Sequence, residues 1–305
     1  MSLVRLASVI HEGRRWAARL ETDRVFLTEV PGLDVAVAAG SDLRDASGRW
    51  IGIEEVIIDA PLRPPVVVCA GQNYRDHLDE KRPVEVSEPE LFLKAGQTVA
   101  MPGTPCVRDL LVTSKLDYET ELGLVIGRAG RHIPAETALE HVYGYLVLND
   151  LTARDRQVKI DREGRVSMAL GPGKNFEGAT RMAANVVSAE EVPDPSGLIL
   201  KTTVNGETRQ LNSTSNMIFP VAEIISYVSR LFMLRAGAVI STGSPGGTAW
   251  GTDTALGGTH LTPAGCVPAR YLGHGDVVCS SIERIGELTF TVLNFEPTEE
   301  QRHAG

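Results

Sequence analysis

The sequence predicts a strand-rich mixed α/β fold, and three patterns support that prediction. Short runs of apolar and β-branched residues, such as those at 66–70 and 198–204, are bounded by glycine, proline or asparagine, which is typical of strands. The dipeptide Asn205-Gly206 follows the second run and is a strong hairpin-turn signal. Apolar residues recur at helical spacing over residues 217–234, which predicts one amphipathic helix with one face in the core.

The order of these elements predicts two domains. A stiff, proline-rich connector at residues 61–65 marks the boundary. Before it, residues 1–62 are predicted to form a small, mainly β domain with one short helix near residues 51–58. After it, residues 66–295 form the larger domain, and we expect the polar tail at 296–305 to be frayed.

Two segments of the larger domain are predicted to be loops. Residues 81–90 are charged and contain two prolines, so we expect a mobile loop there. Residues 248–275 are rich in glycine, threonine and proline, and a loop of this length in a compact domain is usually functional or interfacial.

Composition excludes several classes of partner. The 305 residues carry a net charge of −9 without a basic stripe, which argues against nucleic acid and anionic membranes. No apolar run approaches the roughly 20 residues that span a bilayer, and no secretory signal is visible. The cysteines lie far apart, which fits free thiols in a reducing cytoplasm better than disulfides or a zinc site. They are Cys69, Cys106, Cys266 and Cys279.

Residues 116–127 contain the clearest candidate metal site. Their second half is apolar and β-branched, so the stretch is predicted to be a strand, in which Glu119 and Glu121 point to the same face. Two adjacent carboxylates beside a buried run repel each other unless a cation joins them. Hard oxygen ligands suit Mg²⁺, Mn²⁺ or Ca²⁺. A lone Glu-x-Glu is more often a solvated strand edge, and that alternative stays open at this point.

Other candidate groups follow the predicted strands. His77 and Glu80 are three residues apart in a predicted helical turn, where a carboxylate can orient a histidine as a general base. The alternative is a surface helix with unrelated polar residues. Asp150 ends a predicted strand, where it is either a functional group or a helix N-cap. Lys174 projects from a predicted tight turn at 171–176, and alone it reads as a solvated lysine.

Taken together, these segments resemble the fumarylacetoacetate hydrolase superfamily from about residue 66 to residue 292. Each motif is common alone, but their order and spacing are specific. They are Asn73-Tyr74-x-x-His77-x-x-Glu80, Leu116-Asp117-Tyr118-Glu119-x-Glu121, Asn149-Asp150-x-x-Ala153-Arg154-Asp155-x-Gln157, Lys174-x-Phe176, Val204-Asn205-Gly206-Glu207-x-Arg209-Gln210 and Thr242-Gly243-Ser244-Pro245-x-Gly247. The resemblance implies a mixed β-roll with peripheral helices, and a homodimer. Within the superfamily, the chain looks like the branch of acylpyruvate hydrolases and 2-hydroxyhepta-2,4-diene-1,7-dioate isomerases.

The resemblance also implies roles for individual residues. A divalent ion, Mg²⁺ or Mn²⁺ with Ca²⁺ as a further option, is expected on Glu119, Glu121 and Asp150. His77, oriented by Glu80, is expected to activate water or to move a proton. Lys174 is the expected active-site lysine, holding developing negative charge. The expected substrate-binding residues are Arg154, Gln157, Thr242 and Lys94.

The implied activity is hydrolysis of a C–C bond in an acylpyruvate-type 2,4-dioxo acid of the fumarylpyruvate and acylpyruvate class, which releases pyruvate. Three alternatives stay open: decarboxylation of oxaloacetate-type acids, isomerisation or hydration of 2-oxo-enoic acids in aromatic catabolism, and a non-catalytic metal-binding relative. Two departures from the family pattern leave the natural substrate open. The sequence at 174–179 differs, and the loop at 248–275 is longer than in compact members.

Overall fold

The computed structural model describes residues 3–44, 46–80, 86–163 and 165–295. Strands dominate this part of the chain and helices are short, so the predicted strand-rich mixed α/β class is confirmed. The frayed tail expected at 296–305, and residues 81–85 of the expected mobile loop, lie outside the described residues. Within the described ranges, no helix is both long enough and apolar enough to cross a bilayer.

The strands follow the short apolar runs of the sequence. In chain order they are β1 (Arg5–His11), β2 (Arg14–Leu20), β3 (Arg24–Thr28), β4 (Gly48–Gly52), β5 (Ile57–Asp59), β6 (Val66–Gly71), β7 (Glu90–Ala95), β8 (Cys106–Asp109), β9 (Leu116–Asp117), β10 (Thr120–Ile126), β11 (Val142–Asp150), β12 (Thr152–Ala153), β13 (Val158–Ile160), β14 (Val166–Met168), β15 (Thr180–Met182), β16 (Asn185–Ser188), β17 (Ile199–Val204), β18 (Glu207–Ser213), β19 (Val239–Ser241), β20 (Val277–Ile282) and β21 (Gly286–Phe295).

The α-helices lie between and around these strands. They are α1 (Leu33–Ala38), α2 (Arg75–Asp79), α3 (Arg154–Gln157), α4 (Leu170–Lys174), α5 (Val221–Leu231) and α6 (Ala249–Thr252). Short 3₁₀ segments occur at Ile53–Glu55, Gly96–Thr98, Ala135–His141, Ala189–Glu191, Thr214–Asn216 and Thr254–Leu256.

Among the described residues, twelve strands form one large sheet. Its order is β4-β3-β2-β1-β16-β11-β10-β19-β6-β7, with β15 added to β11 and β5 added to β1. Strands β19 and β6 run parallel, whereas β10 pairs antiparallel with both β11 and β19. This order places β11, β10, β6 and β7 near one another, and these strands or the residues that follow them carry most of the candidate site.

A second sheet covers the first. Its order is β18-β17-β20-β21-β8, and its first hairpin turns at Asn205 and Gly206, both at positive φ, as the sequence predicted. One continuous core joins the two sheets, with Leu122 and Leu124 from the first sheet and Val278 from the second. Because apolar side chains on facing sheets bury each other, this core fixes β10 against the second sheet.

Helix α5 confirms the predicted amphipathic helix but is shorter than the predicted span of 217–234. It begins after Pro220 and ends before Phe232, whose backbone is extended. Its buried face includes Val221, Ile225 and Val228, as the spacing predicted. The shorter span is expected physically, because helix ends are the least specified part of an apolar pattern.

The short helix predicted near residues 51–58 is wrong. The chain there completes β4, makes a single 3₁₀ turn at Ile53–Glu55 and then forms β5. Ile57 and Ile58 pair with β1, so tertiary pairing of β-branched residues overrides the weak local helical pattern.

Among the described residues, one strand pair, β1 with β16, links the N-terminal strands to the rest of the large sheet. Strand β1 pairs with β2, β5 and β16, and β16 also pairs with β11. The approach of β16 to β11 requires Gly144, since a Cβ there would lie 2.4 Å from the carbonyl oxygen of Val187. The division of the chain at residues 62–66 into two domains stays a prediction.

Candidate active site

Three acidic side chains meet at the centre of the large sheet. Glu119 precedes β10, Glu121 lies within it and Asp150 ends β11. The amide of Asp150 donates to the carbonyl of Glu119 over 2.8 Å, which holds the two strands in register at this point. One ligand oxygen from each carboxylate lies within 4.8 Å of the others, and all three side chains are buried. The structure therefore brings together the three residues predicted to bind a metal.

Two lysines neutralise part of this cluster. Lys174, at the end of α4, donates to Glu119 and, over 2.7 Å, to Asp150. Lys94, on β7, donates to the other oxygen of Asp150 and, over 2.8 Å, to the carbonyl of Ala179. Burial lowers the pKa of Lys174, but the charges of Asp150 and Glu119 outweigh it and raise the pKa above its ordinary value. Lys174 is therefore a buried ammonium group, unlike the solvated lysine that its sequence position alone suggested.

Glu121 has different partners. It accepts hydrogen bonds from the hydroxyl of Ser241 and, over 3.1 Å, from the amide of Gly243. Among the described residues, no ammonium or guanidinium group hydrogen bonds to it. Burial, followed by repulsion from Asp150 and Glu119, raises the pKa of Glu121 to about 8.

The donor set fits a hard divalent cation. Among the described residues, the lysine and arginine partners of these three carboxylates and of Asp117 are Lys94, Lys174 and Arg154. Glu121 is bonded to none of them, and its raised pKa keeps it protonated at neutral pH unless a further cation joins the cluster. Carboxylate oxygens at this separation are the ligands that Mg²⁺ and Mn²⁺ prefer.

His77 and Glu80 form the predicted dyad. Nδ1 of His77 lies 2.8 Å from Oε2 of Glu80, and both side chains are buried. Glu80 also accepts from the amides of Gly247 and Thr248, at 2.5 and 2.9 Å, and from the Thr248 hydroxyl at 2.8 Å. Burial raises the pKa of Glu80 to about 8, although the hydrogen bonds from Thr248 and Gly247 act in the opposite direction.

The remaining predicted residues occupy different places. Arg154 and Gln157 lie on α3, are buried, and hydrogen bond to each other over 2.8 Å. The hydroxyl of Thr242 donates to the carbonyl of Leu122 over 3.0 Å, so this side chain is used within the sheet. The side chain of Lys94 is fully buried and is bonded to Asp150. Neither Thr242 nor Lys94 is on the cavity wall.

The candidate groups surround a small cavity of about 30 Å³. Its wall combines the acids and cations described above with several apolar side chains. The lining residues are Ala70, Gly71, Gln72, His77, Glu90, Phe92, Glu119, Glu121, Arg154, Gln157, Met168, Leu170, Lys174, Gly243, Ser244 and Trp250. His77 of the dyad and two of the three clustered carboxylates, Glu119 and Glu121, therefore face one cavity.

Asp117 is an important residue that the sequence reasoning missed. Fully buried on β9, it accepts from Nε of Arg154 over 2.7 Å. It also accepts from the amides of Ala249 and Trp250, at 2.8 and 3.1 Å. A signal was present in the sequence, because Asp117 continues the two-residue period of Glu119 and Glu121. Asp117 thus connects β9, which leads into Glu119 and Glu121, to the turn at Gly247 and Thr248 that holds Glu80.

Arg154 is the second half of this connection. Besides Asp117, its guanidinium donates to Glu119 over 2.5 Å, and its central carbon lies 5.0 Å from the centre of the Trp250 ring. The charges of Glu119 and Asp117 outweigh its burial and raise the pKa of Arg154 above its ordinary value. The same cation, after that of Lys174, holds the pKa of Glu119 below its usual range despite burial.

Comparison with known proteins identifies the family of this fold. Residues 66–293 match the family model described as fumarylacetoacetate (FAA) hydrolase C-terminal. A fumarylacetoacetate hydrolase structure from Exiguobacterium antarcticum is 32% identical, covers 96% of this chain and 100% of its own, and has a TM-score of 0.78. The predicted family resemblance and its mixed strand-rich fold are therefore confirmed.

Two other solved structures differ in their described activities. A fumarylpyruvate hydrolase from Pseudomonas aeruginosa, in complex with Mn²⁺ and pyruvate, is 30% identical over 77% of this chain and 91% of its own, with a TM-score of 0.63. A 2-hydroxyhepta-2,4-diene-1,7-dioate isomerase from Mycobacterium marinum is 26% identical over 96% of this chain and 100% of its own, with a TM-score of 0.73. Similarity of this kind extends to both hydrolases and isomerases.

Replacing Asp117 tests its connecting role. We expect Asp117→Asn to lower the free energy of unfolding by about 3 kcal/mol, because the buried guanidinium of Arg154 loses one of its two carboxylate partners and keeps only Glu119 among the described residues. Urea unfolding at fixed Mn²⁺ concentration measures this change.

The matched control is Asp42→Asn. Asp42 also accepts from an arginine, Arg44, but that pair lies at the surface. We expect a change below about 0.5 kcal/mol for this control. Equal losses in the two variants would contradict the special role of Asp117.

Proposed function

The chain belongs to the fumarylacetoacetate hydrolase family, and from this premise we propose that it is a divalent-metal-dependent hydrolase of acylpyruvate-type 2,4-dioxo acids. The reaction cleaves the bond between C3 and C4 and yields pyruvate and a second carboxylic acid. One observation carries the proposal: His77, oriented by Glu80, and the carboxylates Glu119 and Glu121 line the same cavity. A site that only stored a metal ion would have no use for the dyad.

The three clustered carboxylates are the proposed metal ligands. Glu119, Glu121 and Asp150 would hold Mg²⁺ or Mn²⁺, and the described Mn²⁺ and pyruvate in the Pseudomonas aeruginosa structure support this choice. A divalent ion held there would supply a Lewis acid for the 2-oxo acid end of the substrate. Its two positive charges would favour the ionised form of Glu121 and would also balance the single negative charge of a 2-oxo acid.

The dyad performs the proton transfers of the proposed reaction. Glu80 holds Nδ1 of His77, which leaves Nε2 as the atom that takes a proton from the attacking water. The hydroxide adds to the C4 carbonyl, and the C3–C4 bond then breaks with its electron pair moving to C3. C3 takes up one proton, so that one water is consumed for each pyruvate released.

Arg154, Gln157 and Lys174 position the substrate in this scheme. The oxygen of Gln157 accepts from Arg154, which directs the Gln157 amide nitrogen to act as a donor in the cavity. Lys174 remains a cation next to Glu119 and Asp150, and it stabilises negative charge that develops on the substrate. These groups are fixed before substrate binds, so little reorganisation is needed during the reaction.

An isomerase of 2-oxo-enoic acids is the second candidate. It is favoured by the similarity to the Mycobacterium marinum isomerase over 96% of this chain. The same dyad would then move a proton between two carbon atoms without adding water. The products distinguish the two activities, since only hydrolysis releases pyruvate together with a second acid.

A coupled pyruvate assay tests the proposed function. Purified protein with Mn²⁺ is supplied with a panel of 2,4-dioxo acids, a 2-oxo-enoic acid and oxaloacetate. We expect pyruvate and a carboxylic acid from a 2,4-dioxo acid, loss of activity with a chelator, and recovery with Mn²⁺. His77→Asn should lower kcat by roughly 10²- to 10⁴-fold, the usual contribution of general base catalysis.

The matched histidine control is His132→Asn. His132 is exposed and has a positive φ of 53°, which asparagine tolerates. We expect this variant to retain wild-type activity. Pyruvate released together with CO₂ from oxaloacetate alone, or full activity in His77→Asn, would reject the hydrolase assignment.

The raised pKa of Glu80 predicts the pH dependence. Below about pH 8 Glu80 holds a proton, and its hydroxyl donates to Nδ1 of His77, so that the ring proton lies on Nε2. Above that pH the carboxylate accepts from Nδ1–H and leaves Nε2 free to act as the base. The acid limb of kcat/KM should therefore rise with a midpoint near 8, and Glu80→Gln should abolish this rise. Measuring kcat/KM of both proteins from pH 6 to pH 10 tests this prediction.

Thr248 supplies a control for this profile. Its hydroxyl donates to Glu80 and favours the charged form, so Thr248→Val should move the midpoint to higher pH. Thr248→Ser keeps the hydroxyl and should leave the midpoint in place. An identical midpoint in Thr248→Val would indicate that another group, such as the substrate itself, controls the profile.

A further inference from the structure

Strand β7 runs from the carboxylate cluster to the outer part of the cavity. Its residues at positions 90, 92 and 94 share one face, because side chains alternate along a strand. Lys94 holds Asp150, and Phe92 lies under Lys174, whose ammonium is 5.3 Å from the ring centre. Glu90 is four residues from Lys94, so its Cα is about 13 Å further along the strand. Of the two cavity-lining residues on this face of β7, Phe92 and Glu90, Glu90 is therefore further along the strand from Lys94, which holds Asp150.

Glu90 is held at this position by Gln72. The amide nitrogen of Gln72 donates to the carboxylate of Glu90, and both residues are half-buried on the cavity wall. Gln72 has a positive φ of 54°, a backbone conformation that residues other than glycine rarely adopt. Such positions persist only where the surrounding structure enforces them, so the Gln72–Glu90 pair is a built feature of this wall.

The two cations of the described cavity wall are already bonded to groups other than Glu90. Arg154 is bonded to Asp117, Glu119 and Gln157. Lys174 is bonded to Glu119 and Asp150. The described wall also contains the apolar side chains of Phe92, Met168, Leu170 and Trp250. Among the described lining residues, Glu90 is therefore a carboxylate whose hydrogen-bonding partner is an amide, that of Gln72, rather than a cation.

From this arrangement we propose that Glu90 makes the site selective for 2,4-dioxo acids with an uncharged acyl tail. A tail that ends in a second carboxylate would place two negative charges within several ångströms in a partly buried space. At an effective dielectric constant of about 20, that repulsion is enough for about a tenfold loss or more in kcat/KM. The inference deepens the proposed function and rests on it for the identity of the substrate.

The kinetic test compares two substrates in three proteins. The substrates are 2,4-dioxopentanoate, whose tail is a methyl group, and fumarylpyruvate, which has a second carboxylate. We expect the wild type to prefer 2,4-dioxopentanoate, and Glu90→Gln to raise the ratio of kcat/KM for fumarylpyruvate to that for 2,4-dioxopentanoate by about tenfold. The control is Glu88→Gln, which changes net charge equally at a residue that is not on the cavity wall. It should leave the ratio at the wild-type value.

Two kinetic outcomes overturn the proposal. One is a wild type that prefers fumarylpyruvate. The other is a substrate ratio that Glu90→Gln leaves unchanged or shifts no more than Glu88→Gln does. The proposal is supported if added salt reduces the difference in kcat/KM between the two substrates only in proteins that retain Glu90. Salt has this effect because screening weakens charge repulsion.

A binding test separates this proposal from the proposed function. With Mn²⁺ present, calorimetry compares 2-oxopentanoate with 2-oxoglutarate, which have the same chain length and differ in the terminal carboxylate. We expect tighter binding of 2-oxopentanoate to the wild type, and loss of that preference in Glu90→Gln but not in Glu88→Gln. This result without turnover of any 2,4-dioxo acid would reject the hydrolase assignment and keep the selectivity. Equal or tighter binding of 2-oxoglutarate to the wild type would reject the selectivity.

Discussion

Electrostatic balance around three buried carboxylates is the constraint on which the rest of the site depends. Glu119, Glu121 and Asp150 meet where β10 and β11 pair, and their mutual repulsion is costly away from water. Lys94 and Lys174 compensate Asp150 and Glu119 from two different elements. Among the described residues, no cation is bonded to Glu121, and a divalent ion would supply the positive charge that stabilises its ionised form. The large sheet provides the rigid frame that keeps these charges close.

Hydrogen bonds that involve backbone amides and the carboxylate of Asp117 fix the dyad relative to the large sheet. Glu80 is fixed by the amides of Gly247 and Thr248, and the residues that follow them donate to Asp117. Asp117 in turn holds Arg154, which reaches Glu119. The dyad and the clustered carboxylates therefore share one network of buried hydrogen bonds, which fixes their relative positions more precisely than separate loops would.

Local sequence patterns predicted part of this arrangement. Because such patterns reach only a few residues along the chain, they could not predict contacts between distant segments. The two-residue period placed Glu119 and Glu121 on one face, and the three-residue spacing placed His77 beside Glu80. Their convergence with Asp150 rested on family resemblance, because strand pairing is not readable from one segment. The Gln72–Glu90 pair and the bonds of Asp117 to residues 249 and 250 join distant parts of the chain. The expected role of Thr242 in substrate binding stays a prediction, and its hydroxyl donates to the carbonyl of Leu122.

The most direct test of the account is an anomalous-scattering map from crystals grown with Mn²⁺. The account predicts one strong peak within coordination distance of carboxylate oxygens from Glu119, Glu121 and Asp150, and its loss in Glu121→Gln crystals. Separated carboxylates with no peak between them, and with Lys174 still bridging Glu119 and Asp150, would contradict it.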